Sequence, residues 1–282
     1  MTKGRRLRRK SHSSRPLVML LAAGAVMIYV GCSALTGSGH RVNPSPPQLT
    51  TRTGTASKAT STKPTVPPKA LPTTFLIHVP PKDQYPQLPN GCEVTSLAML
   101  MTAAGHPVSK MTLAKQMPKD PTKLRLSSYT NASGQTVHRV VYWGNPNVGF
   151  VGSVYQADEG YGIYHGPMFR FLNQLLPGRA EDMTGAPFSA ILRHVAQGVP
   201  VEAWTTTTFH PTTDWVSWQS PEGIVRATPL EHAVLIVGYA PGFLFINNPL
   251  NGKAAQKVPE GPFIQAWRQL GKQAITLKSL SG

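Results

Sequence analysis

Three stretches of this 282-residue chain differ in their hydrophobic pattern. Leu17 to Gly31, LVMLLAAGAVMIYVG, is a continuous apolar run of 15 residues. Thr36 to Thr74 contains almost no large apolar side chain. From Phe75 onward apolar residues return in two periodicities. After Cys92, in LPNGCEVTSLAML, Val94, Leu97, Ala98 and Met101 recur at helical spacing and Ala104-Gly105 supplies a stop. That spacing predicts a helix with Cys92 at or just before its N-terminus. GPMFRFLNQLLPG and APFSAILRHVAQG predict two further helices, each closed by Gly or Pro-Gly, and FIQAWRQLG predicts another. PVEAW, HAVLIVGY, FLFINN and QAITLKS are short and apolar or β-branched, so strands are expected there. The expected class is α+β, with an N-terminal helical part followed by a strand-rich part.

Charge changes the reading of the first two stretches. Of the 28 basic residues, 12 lie before residue 74, where no acidic residue occurs, so the rest holds 16 basic against 12 acidic, a net +4. The overall +16 is therefore no nucleic-acid signature, since the folded region is close to balance. A basic cluster from Lys3 to Arg15 ahead of an apolar run reads as an export signal, with the cluster left in the cytoplasm. Extended to Leu35, the run reaches 19 residues and could span a bilayer if uncleaved. Cys32, flanked by Gly31 and Ser33, stands where a lipoprotein signal places its lipidated cysteine. The Thr/Ser/Pro-rich stretch that follows cannot bury enough surface to offset its chain entropy, so a disordered spacer is expected. The expected organisation is a signal or membrane anchor over residues 1–35, a spacer over 36–74 and one folded domain over 75–282, located at the outer face of a bacterial cytoplasmic membrane or secreted.

Two cysteines are too few for a disulfide scaffold, and one lies in the targeting segment. Cys92 should be an unpaired thiol in an exported protein, which requires a reason. A thiol at its reference pKa is mostly protonated at neutral pH. A helix N-terminus and an imidazolium partner both lower that pKa. Of nine histidines, His232 opens the strand HAVLIVGY, 140 residues after Cys92, and papain-like enzymes space their Cys and His by a similar interval. Sixteen residues later INNPLNG supplies Asn247 and Asn248, where an amide could orient the ring through its second nitrogen.

QYPQLPNGCEVTSLAML, GFVG, GYGIYHGPMFRFLNQLLPG, GAPFSAILRHVAQGVPVEAW, EHAVLIVGY, INNPLNG and GPFIQAWRQLGKQAITL, in that order, resemble the domain of cysteine-peptidase family 39 and its exported bacterial relatives. The resemblance spans Gln84 to Leu277. It implies a papain-like fold whose helical part carries the Cys and whose C-terminal antiparallel sheet carries the His and Asn. It also implies a nucleophile at Cys92, a general base at His232 and an orienter at Asn248, with Asn247 second. Relatives usually have Asp before the Pro; an amide holds the ring but stabilises imidazolium less than a carboxylate does. A Gln shortly before the Cys serves the family as an oxyanion donor, which points to Gln84 first and Gln87 second.

Other residues carry readings of their own. Glu93 is expected to complement the first helical turn, and Glu231 to be a surface neighbour of His232. His165, with Tyr161 and Tyr164, either lines a cleft or belongs to a packed loop. Trp204, Trp215 and Trp218 either bind an extended peptide or glycan or pack in the core. The Cys/His spacing of metal sites and phosphate-cradling glycine loops do not occur, so neither cofactor nor metal is expected. The expected function is a membrane-tethered extracytoplasmic cysteine peptidase with a peptide or protein substrate. Hydrolysis or acyl transfer on cell-wall peptides is the first alternative and a non-catalytic binding scaffold the second. Bacteriocin maturation fits less well, because peptidases of that type act on the cytoplasmic side of a transporter.

Overall fold

The computed structural model describes residues 70–280. The basic cluster, the apolar run, Cys32 and nearly all of the expected spacer lie outside the described residues. Among the described residues, no helix is long and apolar enough to cross a membrane.

A seven-stranded sheet forms the centre. It contains β1 (Phe75–Leu76), β6 (Ala180–Asp182), β7 (Val201–Thr206), β10 (Glu231–Ala240), β11 (Phe243–Asn248), β12 (Lys253–Pro259) and β13 (Ala274–Leu277). Its order is β12-β11-β10-β7-β13-β6, with β1 added to β10, and the pairings are antiparallel. The unbroken apolar run of HAVLIVGY follows from its position, because a central strand covered on both faces has no polar side to alternate with. Ala233, Leu235 and Val237 face one cluster, shared with the helices α1 (Cys92–Ala103), α2 (Lys110–Gln116) and α3 (His165–Leu175). Val234 and Ile236 face a second cluster, shared with α4 (Phe188–Ala196) and α5 (Glu260–Gln269). The result is three layers, helices on each side of one sheet. Gly238 lets β1 approach β10, since a Cβ there would stand 2.5 Å from the Phe75 carbonyl oxygen.

The helix α1 is buried from Cys92 to Met101, and that explains why it lacks a solvated polar stripe, with even Glu93, Thr95 and Ser96 enclosed. Helices form at the four predicted places, and strands form at PVEAW, HAVLIVGY, FLFINN and within QAITLKS. Two features differ from expectation. The helix α2 was not expected; the Ser109 hydroxyl caps it by accepting the Thr112 N–H at 3.0 Å. The division into a helical part and a strand-rich part also needs correction, because helices and strands alternate along the chain. Between α2 and α3 come β2 (Lys119–Asp120), β3 (Arg125–Thr130), β4 (Thr136–Tyr142) and β5 (Phe150–Val151). Strands β3 and β4 join β8 (Val216–Ser220) and β9 (Gly223–Ala227) in a separate four-stranded sheet. They escaped notice because their apolar residues do not alternate cleanly, with Leu126, Tyr129, Val141 and Ile224 exposed, and only a small core, Trp143, Val151, Trp218, Val225 and Ala227, unites them.

That core also decides among the tryptophan readings. Trp218 is buried against Trp143, with centroids 5.8 Å apart, and donates its indole N–H to the Gly144 carbonyl at 2.8 Å. Trp204 is fully buried in the central cluster. Trp215 stacks under the Arg226 guanidinium at 3.9 Å.

Candidate active site

Cys92 is the first residue of α1, after Gly91, which caps the helix without a side-chain hydrogen bond. The free thiol is buried. Its position follows from an opening at the edge of β10. Ala233 is paired with Trp204 of β7, but the Trp204 N–H bonds to the Gln273 carbonyl on the far side, so this is a non-hydrogen-bonded pair. The N–H and C=O of Ala233 therefore point away from β7, toward the edge where pairing with β11 begins only at Leu235. The N-terminus of α1 fills that gap. The Ser96 hydroxyl donates to the Ala233 carbonyl at 3.2 Å, and the Ala233 N–H bonds to the Cys92 sulfur, favouring the thiolate.

Other forces on the thiol oppose ionisation. Burial pushes its pKa well above the usual thiol value, and the carboxyls of Glu93 and Glu231 push it further. The thiol proton is directed at Glu93 Oε2, 3.4 Å away, rather than at the imidazole of His232. Glu93 is fully buried and its Oε1 accepts the Ile163 N–H at 2.8 Å. Burial lifts its pKa to about 7.

Glu231 is buried too, where a surface neighbour of His232 was expected. The pleat of β10 sends consecutive side chains to opposite faces. Glu231 shares the face of Ala233 and Leu235, toward α1, whereas His232 shares the face of Val234 and Ile236. Glu202 on β7 completes an acidic group: it is fully buried, and burial followed by the Glu93 charge raises its pKa. Burial, then the charges of Glu93 and Glu202, raises that of Glu231. The sequence offered a signal for this group in the acidic residues beside Cys92 and His232 and in the lone charge of PVEAW.

The segment Gly160–Tyr164 covers the group. Ile163 is held at both ends, its N–H by Glu93 and its carbonyl by the Trp204 indole at 3.0 Å. Gly162 lies so close that a Cβ would stand 2.5 Å from Glu93 Oε1 and 3.0 Å from Glu231 Oε2. The Tyr161 and Tyr164 hydroxyls bond to each other at 2.8 Å and feel the Glu231 charge, whereas His165 turns away to Asp182 at 2.8 Å.

His232 meets Asn248. The ring is buried beside Phe209, and its Nε2 lies 2.8 Å from Asn248 Oδ1. That oxygen also accepts the Leu250 N–H at 3.0 Å, while Asn248 Nδ2 donates to Gln256 Oε1 at 3.0 Å. A backbone N–H can bond only to the amide oxygen, so the orientation of Asn248 is fixed and Nε2 carries the imidazole proton. The lone pair is left on Nδ1. Burial pulls the His232 pKa down to about 4, against the opposing effect of Asn248. Asn247 is engaged elsewhere, donating to the Val79 carbonyl at 2.8 Å and accepting the Ala255 N–H at 2.9 Å.

Gln84 is buried in the loop leading to α1, with its backbone N–H on the Pro249 carbonyl at 2.8 Å. Its side-chain amide donates to the Pro89 carbonyl at 2.7 Å and has a second N–H to offer. Gln87 is exposed. The structure thus brings His232 to Asn248, and Cys92 to Glu93 and Glu231. The two halves join at Ala233, the residue after His232.

Comparison with known proteins agrees with this architecture. The model of the peptidase C39-like family matches residues 76–275. The uncharacterised protein YvpB of Bacillus subtilis strain 168 is 35% identical over 193 residues, which cover 68% of this chain and 71% of YvpB. The crystal structure of a candidate C39-like peptidase from Bacillus anthracis superposes with a TM-score of 0.64 at 38% identity, covering 74% of this chain and 99% of that one.

Proposed function

Because the chain belongs to the peptidase C39-like family, we propose that it is a cysteine peptidase acting outside the cytoplasm, tethered to the membrane through its N-terminal segment. Cys92 is the nucleophile, His232 the base and Asn248 the group that orients it. The observation that carries this reading is the bond from His232 Nε2 to Asn248 Oδ1, which leaves Nδ1 as the basic nitrogen one residue from the N–H that faces the sulfur.

In the reaction the Cys92 side chain rotates from the Glu93 carboxyl toward the imidazole, and Nδ1 takes the thiol proton. The sulfur bonds to the substrate carbonyl carbon, and the oxyanion formed accepts hydrogen bonds from the Cys92 N–H and the free N–H of Gln84. As the C–N bond breaks, the imidazolium protonates the leaving amine. Water then hydrolyses the thioester, with His232 again as base. Buried as it is, His232 is neutral at rest, so the Nδ1 lone pair is free; the same burial weakens it as a base, and the transfer depends on the charge rearrangement that substrate brings.

Export signal, spacer and fold together favour an envelope peptide or an extended protein segment as substrate, with cell-wall stem peptides as the alternative. A non-catalytic binding protein on the same fold is the second reading. It is favoured by the burial of the thiol and its bond to Glu93, which keep it protonated. The deciding test is cleavage of an unstructured protein and of muropeptides by the full chain, its Cys92→Ser variant and its His232→Ala variant. Cleavage of either substrate that both substitutions abolish supports the peptidase. A chain that cleaves neither, or a Cys92→Ser variant that still cleaves, overturns it.

A further inference from the structure

The charges acting on Cys92 are those of Glu93 and Glu231, and the charges acting on Glu231 are those of Glu93 and Glu202. All are negative, in an interior where an uncompensated anion is costly. Oε1 of Glu231 and both carboxyl oxygens of Glu202 are buried without a hydrogen-bond partner. Such oxygens are satisfied by a proton or by a cation, and the geometry favours the cation. One ligand atom each from Cys92, Glu93 and Glu231 lies within 4.8 Å of the others. The separation of Cys92 Sγ from Glu93 Oε2, 3.4 Å, is close to the ~3.5 Å edge of a tetrahedron around an ion with ordinary zinc–sulfur and zinc–oxygen bonds. Gly162 brings its backbone close against both carboxyls, since a Cβ there would stand 2.5 Å from Glu93 Oε1 and 3.0 Å from Glu231 Oε2, so the two acids are held together under the covering segment.

We propose that Cys92, Glu93 and Glu231 form a site for one thiophilic divalent cation of the zinc class, with Glu202 as a further negative charge behind it. A sulfur ligand with two carboxylates selects a borderline ion over magnesium or calcium, which prefer oxygen alone. Three protein ligands leave a fourth position open. Binding releases the thiol proton and any proton held by the carboxyls to solvent, and the thiolate is held by the metal. The bound ion therefore excludes nucleophilic attack by the same sulfur, so occupancy is a resting, inhibited state. That last consequence rests on the peptidase reading; the binding site does not.

The test uses the full chain carrying Cys32→Ser, so that Cys92 is the single thiol, and titrates it with Co²⁺. One equivalent should bind with a thiolate-to-cobalt charge-transfer absorption that Zn²⁺ displaces and Mg²⁺ does not. The band should vanish in Cys92→Ser, and affinity should fall by at least about 10-fold in Glu93→Gln and Glu231→Gln. A second measurement avoids substitution within the site: stoichiometric Zn²⁺ should slow iodoacetamide alkylation of Cys92, and a chelator should restore it. Absence of the thiolate band, unchanged affinity in both Gln variants, or alkylation indifferent to Zn²⁺ overturns the site. None of these readouts involves hydrolysis, so a chain that binds cobalt yet cleaves nothing would keep the metal site and lose the peptidase.

Discussion

Glu231 and His232 are consecutive residues of β10, yet one carboxyl turns toward Cys92 and the other residue's imidazole turns to Asn248 at 2.8 Å. The pleat puts Glu231 on the side of Cys92 and His232 on the side of Asn248. Ala233 then joins them along the strand edge.

Asn248→Ala should lower kcat by roughly 10²-fold with little change in KM, because the ring loses the bond that fixes its tautomer and direction. The same change leaves the Leu250 N–H and the imidazole N–H unpaired, at about 1–3 kcal/mol of stability. Steady-state kinetics and denaturant unfolding of the variant check the two parts. A kcat within twofold of the parent would remove Asn248 from the mechanism.

The His232 imidazole should titrate with a midpoint near 4 when followed by NMR of its ring resonances. Since the folded pKa lies below the ordinary 6.5, the neutral ring's contribution to stability is complete above pH 6.5 and is lost as pH falls through 4. Asn248→Asp should raise the midpoint, because a carboxylate stabilises imidazolium. A parent midpoint above 7 would mean instead that Cys92 and His232 rest as a thiolate–imidazolium pair.

Glu202→Gln should stabilise the metal-free domain at pH 8 and do little at pH 5. The folded pKa of Glu202 is raised, so its contribution is intact below the unfolded value near 4.5 and is lost as pH rises toward the folded value. Each unit of that shift is worth about 1.4 kcal/mol. No hydrogen bond of the carboxyl is sacrificed, since neither oxygen has a partner. Melting temperatures at the two pH values test this, and a variant less stable than the parent at pH 8 would refute it.

Gly162→Ala should destabilise by about 1–3 kcal/mol, because its Cβ would overlap Glu93 Oε1 at 2.5 Å. Glu93→Asp shortens the opposing side chain. The double variant should therefore be more stable than the sum of the single effects implies, a coupling that unfolding measurements of all four proteins can resolve.

By itself the sequence determined the helix that carries Cys92, the three later helices and the principal strands of the central sheet. Long apolar segments with clear stops have one periodicity to report. It determined the candidates Cys92, His232, Asn248 and Gln84 through spacing and resemblance, and the pairing of His232 with Asn248 follows that reading. Tertiary structure alone decided what faces the thiol. Glu93 looked like a complement to a helix dipole and Glu231 like a solvated neighbour, because carboxylates are seldom fully buried. Both are buried because α1 lies against the open edge of β10 and the loop through Ile163 closes over them. Glu202, alone among apolar neighbours, was legible as an anomaly, but its company was not. Periodicity tells which face of an element is apolar; which elements share a face, and hence which charges meet, depends on contacts between residues as much as 138 positions apart, such as Glu93 and Glu231.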